Sequence, residues 1–296
     1  MTRTLLILCL LLAGCAPMPK FQAAKALEPA GESSLCFDAL YLTPADDLAF
    51  ALAQQRYVDV VLAPSATYTV VPPLKCLGKT VWCNGATIRA SGPGPLAADD
   101  PLNCTLESWN STLVGLTLDA AGHTLSGLYA HGSTELVGAC EIAGYRQKGA
   151  HFNHAGRGGA TVRIASLACS TITASPGARA VGVCVDFGSR PASSVTIDDL
   201  RVGPQTGGAG GYAAKFACVK SVVAAVDCGG QGIVLGEGLG DVTLDLYGLS
   251  WEGTHESNPP GAAYPMGRPG IWSMPDPAWQ RMGRSQWPEE LTLRVR

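Results

Sequence analysis

The sequence has few charged residues. Asp, Glu, Lys and Arg make up 15% of the 296 residues, and the formal net charge is −3. There is no cluster of Lys or Arg of the kind that neutralises phosphates, which argues against nucleic acid as a partner. Low charge combined with 36 glycines also argues against a disordered chain. We therefore expect a large globular domain whose partner has a neutral or mixed surface.

No apolar run near the N-terminus is long enough to span a bilayer. Residues 1–14 combine one arginine, a short apolar run and a small-residue end, which is typical of a secretory signal. Leu12-Ala13-Gly14-Cys15 resembles the bacterial lipobox, in which the cysteine is lipidated and becomes the first residue of the mature chain. The resemblance implies a membrane partner through a lipid anchor on Cys15. The residue after the cysteine is Ala16, whereas an inner-membrane retention signal has Asp at this position. This favours the outer membrane of the cell envelope.

The cysteines leave two possibilities open. Without Cys9 and Cys15 nine remain, an odd number in a compartment that permits disulfides. The closely spaced pairs that could form disulfides are Cys76 with Cys83, Cys169 with Cys184, and Cys218 with Cys228. Alternatively, several of these residues are free thiols stacked in a core.

A short helix is expected near the start of the folded domain. Residues 15–42 contain few large apolar side chains and are interpreted as a tether leading into the cap. Residues 43–55 then carry a helix-start pattern, with Thr43 as the cap, Pro44 in the first turn and acidic residues next. Leu48, Ala51 and Leu52 would form its apolar face.

The remainder lacks a long helical period and consists of short strand-like units between glycine turns. One series of units begins at glycines 22, 33, 29 and 21 residues apart: Gly127, Gly149, Gly182, Gly211 and Gly232. A second series alternates with it, in STLVGLTLD (111–119), TELVGACEI (134–142), TVRIASLAC (161–169), SVTIDDLRV (194–202) and DVTLDLYGL (241–249). Irregular spacing with a fixed minimum is typical of coils of constant size with insertions at their corners. The pattern predicts a parallel β-solenoid.

Residues 43–90 resemble the start of the pectate-lyase-like superfamily of right-handed parallel β-helices. The resemblance rests on Asp46-Asp47 with Ala49 and Ala51, then VVLAPSATYTV, then PLKCLGKTVWCNGATI, about 48 residues in all. It implies an all-β fold, a right-handed parallel β-helix over 43–250 with a short N-terminal capping helix. Residues 251–296 hold seven prolines and four of the six tryptophans, and are predicted to be an irregular cap. Their tryptophans could alternatively form a platform for a sugar or a partner.

Candidate site residues follow from alternation within the glycine-led units. Residues one and three places after each glycine are small or apolar and can pack a core. Residues four places after it point outward, namely His131, Asn153, Asp186 and Lys215, and two places after it come Tyr129 and His151. We expect the first four to form an exposed column, with Tyr129 and His151 beside it, if all four glycines begin equivalent strands. A slip of one residue would turn a polar side chain inward.

These residue types suit proton abstraction from a sugar ring. One group takes the C5 proton, another delivers a proton, and a cation stabilises the sugar carboxylate. We assign catalytic roles to His131, Asp186, Lys215 and Tyr129, and substrate binding to His151 and Asn153. Alginate epimerases and lyases of the resembled superfamily use similar residue types. Polar residues are, however, also expected on the outer face of any solenoid.

Two signatures of the superfamily are missing. The spaced Asn-x-Asp, Asp-Asp and Gly-His-Gly set of polygalacturonases does not occur, and no Asp cluster resembles the calcium site of pectate lyases. The sequence therefore implies neither a metal nor a cofactor. The expected function is an envelope-anchored β-helix that binds or modifies a polysaccharide, with lyase or epimerase chemistry favoured. A non-catalytic adhesion, assembly or structural module on the same scaffold is the alternative.

The lipobox resemblance generates a first prediction. The mature wild-type protein should sediment with membranes, because acyl chains on Cys15 each add about 0.8 kcal/mol of binding free energy per buried CH₂. Cys15→Ser should release the protein or leave it as an unprocessed precursor. Cys9→Ser, in the same signal segment, is the control and should leave fractionation unchanged. Fractionation and mass spectrometry of the N-terminus would check this, and an unlipidated mature chain beginning elsewhere would contradict it.

Overall fold

The computed structural model describes residues 39–54, 58–98, 100, 102–153, 159–170, 183–188, 192–203, 212–236, 238–249, 254–256, 271–273, 288 and 290–296. These residues form an all-β structure of parallel strands with one short helix, α1 (Leu48–Ala53). The predicted signal segment 1–14 and lipidation residue Cys15 lie outside the described residues.

The strands form two sheets. Sheet A contains β1 (Ala39–Leu42), β2 (Asp59–Leu62), β3 (Thr67–Val70), β5 (Thr80–Trp82), β6 (Thr87–Ala90), β8 (Thr112–Val114), β9 (Thr117–Asp119), β11 (Thr134–Ala143), β13 (Ala160–Ser170), β15 (Ala192–Val202), β17 (Val219–Asp227), β19 (Asp241–Tyr247) and β22 (Glu290–Val295). Sheet B contains β4 (Leu74–Leu77), β7 (Cys104–Trp109), β10 (Ser126–His131), β12 (Lys148–Asn153), β14 (Val183–Phe187), β16 (Tyr212–Phe216), β18 (Gly232–Leu235), β20 (Thr254–Glu256) and β21 (Ile271–Ser273).

The chain passes repeatedly from sheet A to sheet B and back. From β10 to β19 the strands alternate strictly between the sheets, and each strand pairs in parallel with the next strand of its own sheet. The glycine-led units lie in sheet B and the second series lies in sheet A. This topology is compatible with a parallel β-helix and confirms the parallel strands that the sequence predicts.

The interior is built from side chains stacked in register. One row of buried residues runs across sheet A through Val60, Val81, Leu113, Leu136, Ile164, Ile197, Ala224 and Leu244. In sheet B the ring of Phe187 lies parallel between Phe152 and Phe216, with centroid distances of 4.9 and 5.0 Å. These distances match the separation of adjacent strands, so the backbone ladder itself sets the aromatic stack.

Sheet A bends along its strands. The first part of β11 pairs with β8 and its last part with β9, and the register shifts between Leu136 and Ala139. A further shift occurs between Ile197 and Leu200 in the pairing of β15 with β17. The pairing of β17 with β19 continues over seven residues without such a shift.

Helix α1 is shorter than the predicted helix over 43–55. The N-cap residue is Asp47 and not the predicted Thr43. The Asp47 carboxylate accepts a hydrogen bond from the backbone N–H of Phe50 at 2.9 Å. Thr43 instead donates its backbone N and its hydroxyl to Asp46 at 2.6 and 2.7 Å, which forms a turn before the helix. Leu48, Ala51 and Leu52 are buried as expected, and α1 packs against β3 and β4.

The three predicted disulfides are not formed. Every cysteine among the described residues is a free thiol, and all except Cys218 are buried. Cys169 and Cys184 do lie together, but they are hydrogen-bonded to each other, and the Tyr145 hydroxyl lies 3.0 Å from Cys184 Sγ. Burial raises the pKa of Cys83 to about 12, which keeps the thiol protonated and inert. The open alternative of stacked core thiols is the one that the structure shows.

The prediction of an irregular cap over 251–296 differs from the structure at its described segments. Strand β21 pairs with β18, and β20 pairs with β21. Strand β22 pairs with β19 over six residues. Strands β20 and β21 have only three residues each, too few to show alternation, whereas β22 does alternate in Glu-Leu-Thr-Leu-Arg-Val and continues the core rows of β19.

Burial of Leu52 generates a second prediction. Leu52→Asp should lower the free energy of unfolding by about 3 to 5 kcal/mol, because a charge would be placed in the contact between α1 and the first coil. Phe50→Asp is the matched control, since Phe50 on the same helix is exposed. Urea unfolding would measure both. Equal losses in the two variants would show that α1 does not cover the core.

Candidate functional site

Polar side chains cover the face of sheet B that points away from the core. They form two rows that run across neighbouring strands. The first row, called the Tyr129 row, consists of Glu107, Tyr129, His151, Asp186 and Lys215. The second row, called the His131 row, consists of Trp109, His131 and Asn153. All six residues predicted from the sequence therefore lie on one face.

The predicted alignment of the glycine-led units is wrong at two steps, from β12 to β14 and from β16 to β18, and the first of these affects the candidate residues. Ala150 pairs with Val185 and His151 pairs with Asp186, so β14 is displaced by two residues from the alignment of Gly149 with Gly182. A shift of two residues keeps every side chain on its face. It moves Asp186 and Lys215 out of the His131 row and into the Tyr129 row.

His131 has three neighbours on this face. Its Nε2 lies 3.1 Å from Glu107 Oε1, and its ring stacks on Trp109 at 3.8 Å between centroids and 12° between planes. Trp109 Nε1 donates to the same Glu107 oxygen at 3.4 Å. Lys75 Nζ lies 3.8 Å from the other oxygen of Glu107. Trp109 thus holds one face of the imidazole ring and Glu107 holds Nε2. The other nitrogen, Nδ1, is buried with no hydrogen-bond partner.

Tyr129 links the two rows. Its ring centroid lies 4.7 Å from that of His131 and 4.6 Å from that of His151. Asn153 Nδ2 donates to the Tyr129 hydroxyl at 3.0 Å. The Tyr129 ring thus packs between two imidazole rings, and Asn153 holds its hydroxyl group.

Asp186 is the centre of a charged cluster. Lys148 Nζ donates to its Oδ2 at 2.6 Å, and Lys215 Nζ lies 3.8 Å from its Oδ1. His151 Nε2 lies 4.0 Å from Oδ2. Burial alone would raise the pKa of Asp186, but the two ammonium groups and His151 lower it below its ordinary value. Asp186 is therefore ionised at neutral pH and holds both lysines in place.

Burial sets the protonation states of the three rings. It lowers the pKa of His131, although Glu107 acts in the opposite direction. It also lowers the pKa of His151 to about 4, an effect that the charge of Lys148 increases. Burial raises the pKa of Tyr129. At neutral pH the face consequently offers two neutral imidazoles and one protonated phenol.

The predicted column is less exposed than expected. The side chains of His131, Asp186 and Lys215 have 6%, 10% and 20% of their surface accessible, and that of Glu107 beside them has 9%. Lys75 and Trp109, on the first strands of sheet B, are 63% and 36% exposed. Among the described residues of this face, exposure therefore rises toward β4 and β7.

A polar cleft of about 300 Å³ adjoins the His131 row. Its walls come from the residues that directly follow β7 and β10 and from the neighbouring strands: Asn110, Ser111, Thr112, Ser133, Thr134, Glu135, Thr161 and Arg163. The volume lies at the lower end of the range for small-ligand sites, and the lining is rich in hydroxyl groups. The cleft could hold a group of the size of one sugar ring.

Four residues of the face were not predicted from the sequence, and one of them is Lys75 on β4, which pairs with Glu107. Glu107 and Trp109 lie on β7, in CTLESW, which does not begin with a glycine and so did not match the repeated unit. The sequence of β7 nevertheless shows the same alternation of inward and outward residues as β10, the strand with which it pairs, and this alternation could have identified Glu107 and Trp109. Lys148 precedes Gly149 directly, and its contact with Asp186 depends on the two-residue shift in register.

Two kinds of site do not occur in the described part of the chain. No group of three or more His, Cys, Asp or Glu side chains there is placed to bind a metal ion. No described helix has the length and apolar character needed to cross a membrane.

Comparison with known proteins gives no relative. No protein-family model matches the chain, and neither a curated protein nor a solved structure matches it. The function has to be argued from the face itself.

The low pKa of His151 generates a third prediction. In the unfolded chain this histidine takes up a proton near pH 6.5, whereas in the folded protein it does so only near pH 4. Stability should therefore fall by up to about 3 kcal/mol as the pH drops from 6.5 to 4. His151→Gln should reduce this loss, leaving the smaller contribution of His131, whose pKa is lowered in the same direction. Urea midpoints at pH 7 and pH 4.5 measure the effect, and an unchanged pH dependence in His151→Gln would contradict the burial of a neutral ring.

Proposed function

We propose that this protein binds a uronic-acid polysaccharide on the outer face of sheet B and acts on it by proton transfer, as a lyase or an epimerase. The observation that supports this most is the contact of Tyr129 with two neutral histidines. A lyase and an epimerase both begin with removal of the proton at C5 of the sugar, next to the carboxylate. Both need a neutral base and a proton donor within reach of one ring.

In the proposed elimination, His131 takes the C5 proton and Tyr129 donates a proton to O4. The electron pair of the C5–H bond becomes the C4=C5 double bond, and the C4–O4 bond breaks with its electrons passing to O4. Epimerisation uses the same first step, after which a proton is returned to the opposite side of C5. The 4.7 Å between the rings of His131 and Tyr129 suits two groups acting on one sugar ring.

The charged cluster is assigned to binding a different unit of the polymer. Lys215 lies on β16, three strands from His131 on β10, which corresponds to about 14 Å. This separation of the two backbones is larger than one sugar ring, which favours a role for Lys215 at a different unit of the polymer from the one that His131 contacts. We assign Lys215, held by Asp186, to the carboxylate of another unit, and His151 and Asn153 to positioning the ring at Tyr129.

A second candidate function is a non-catalytic module for adhesion or assembly. The burial of Glu107, His131 and Asp186 favours it, because buried polar clusters can also serve to fix the register of stacked coils. In that case the exposed end near Lys75 and Trp109 would be the only part of the described face to contact a glycan.

The remaining proposals concern fold and location. We propose that the parallel sheets form a right-handed β-helix of the pectate-lyase-like kind, on the resemblance of residues 43–90. We also propose anchorage to the outer membrane through Cys15, on the resemblance to a lipobox. Both rest on sequence patterns, to which the alternation of the two sheets adds support for the helix.

Two assays on the mature domain test the reaction. Incubation with polymannuronate, polyguluronate and polygalacturonate would give unsaturated ends, detected by ultraviolet absorbance, if the protein is a lyase. In D₂O an epimerase would introduce deuterium at C5, detected by NMR or mass spectrometry. Failure of both assays on polymers that the protein binds would overturn the catalytic proposal in favour of the module.

Substitutions on the face give a fourth prediction. His131→Gln should lower turnover at least about 100-fold, because positioned proton transfer contributes that much or more. Asp186→Asn should weaken polymer binding and also lower stability, since it leaves Lys148 without its charged partner. Arg89→Ala on sheet A is the control and should retain activity, because Arg89 is about half exposed and forms an ion pair with Asp119 away from this face. Full turnover in His131→Gln would exclude this residue as the base.

A further inference from the structure

We infer that Glu107 is a positioning residue that holds His131 with its proton on Nε2, and that Nδ1 is the atom of this face that accepts a proton. The contact between Glu107 and His131 follows from the geometry of the face. The role of this contact in turnover rests on the proposed function.

The direction of the hydrogen bond follows from the partner. The Nε2 atom of His131 lies 3.1 Å from Glu107 Oε1. A carboxylate can only accept hydrogen bonds, so the imidazole must donate through Nε2–H. In a neutral ring one nitrogen carries the proton and the other carries the lone pair. The lone pair is therefore on Nδ1.

The surroundings of Glu107 support its role as an acceptor. Trp109 Nε1 also donates to Oε1, at 3.4 Å, and the Lys75 ammonium lies near Oε2. Three donors around one carboxylate keep its oxygens oriented. Stacking on Trp109 fixes the plane of the His131 ring, and a half-turn about the Cβ–Cγ bond would move Nε2 away from Glu107 and break the hydrogen bond that orients the ring.

Nδ1 is the unusual atom of this arrangement. It is buried and has no hydrogen-bond partner in a side chain with only 6% of its surface exposed. A buried acceptor without a partner costs free energy, and such atoms are few in folded proteins. This unpaired lone pair is the free acceptor of the face, and because it is covered, a C–H or O–H group of a substrate would have to displace a neighbouring side chain to reach it.

Three titratable groups of the described strands surround His131. Glu107 on β7 faces Nε2, Tyr129 lies beside it on β10, and His151 on β12 acts on it through space. Glu107 raises the pKa of His131, whereas burial lowers it. Replacing the carboxylate by an amide should consequently lower the pKa of His131 and make its imidazole a weaker base.

The first experiment needs no variant and no substrate. Nitrogen-15 NMR of the wild-type domain at pH 7.5 distinguishes a protonated from an unprotonated ring nitrogen. We expect Nε2 of His131 to carry the proton and Nδ1 to show the shift of an unprotonated nitrogen. A proton on Nδ1 would overturn the inference, whether or not the protein is an enzyme.

The second experiment uses Glu107→Gln, with Glu141→Gln as the matched control. Glu141 is an exposed residue of β11 in sheet A that accepts a hydrogen bond from the Ser170 hydroxyl at 3.5 Å. Glu107→Gln should shift the NMR titration of His131 to lower pH, and Glu141→Gln should not. An unshifted titration in Glu107→Gln would show that the carboxylate does not act on the ring.

If the polymer assays give turnover, kinetics add a third readout. Glu107→Gln should lower kcat about tenfold with little change in KM, because base strength affects proton removal more than binding. The acid limb of the pH profile should move to lower pH with the pKa of His131. A change confined to KM, with an unmoved profile, would assign Glu107 to binding and contradict its action through His131.

Discussion

The structure depends on the backbone hydrogen bonds between parallel strands, because they impose a single spacing on everything attached to them. Parallel strands lie about 4.8 Å apart, and a side chain stacks on the equivalent side chain of the next coil at that distance. The row of Val60, Val81 and Leu113 in sheet A and the rings of Phe152, Phe187 and Phe216 in sheet B are both products of this ladder. Each coil buries its apolar residues only by covering its neighbour.

The same spacing explains why the polar face can be assembled from separate parts of the sequence. Glu107, Tyr129 and His151 come from three successive coils, yet the ladder places their backbones side by side. Aromatic rings and a carboxylate at this spacing make contact without any special loop. Burial then removes water from around them, which keeps the histidines neutral and the phenol protonated. The protonation states of the face therefore result from the packing of the coils.

Much of this arrangement could be predicted from the sequence because alternation along a strand is a local property. Inward and outward residues of the glycine-led units were assigned correctly at Leu128, Tyr129 and Ala130. The register between neighbouring strands of one sheet is not a local property, because it depends on the number of residues in the connections between them. The shift that pairs His151 with Asp186 could not be read from the glycines. The cap of α1 at Asp47 was likewise missed, because Thr43 and Asp46 satisfy each other in a turn.

The separation of Asp186 and Lys215 from His131 has a consequence for how such a face can change over time. A coil touches only the coils on either side of it, so substitutions in β14 and β16 alter one end of the face without disturbing β7 and β10 at the other. Under the proposed function, recognition of a charged polymer and chemistry on one of its rings would therefore occupy different strands. Substitutions around Asp186 would then change polymer binding while the ring contacts around Tyr129 stay as they are.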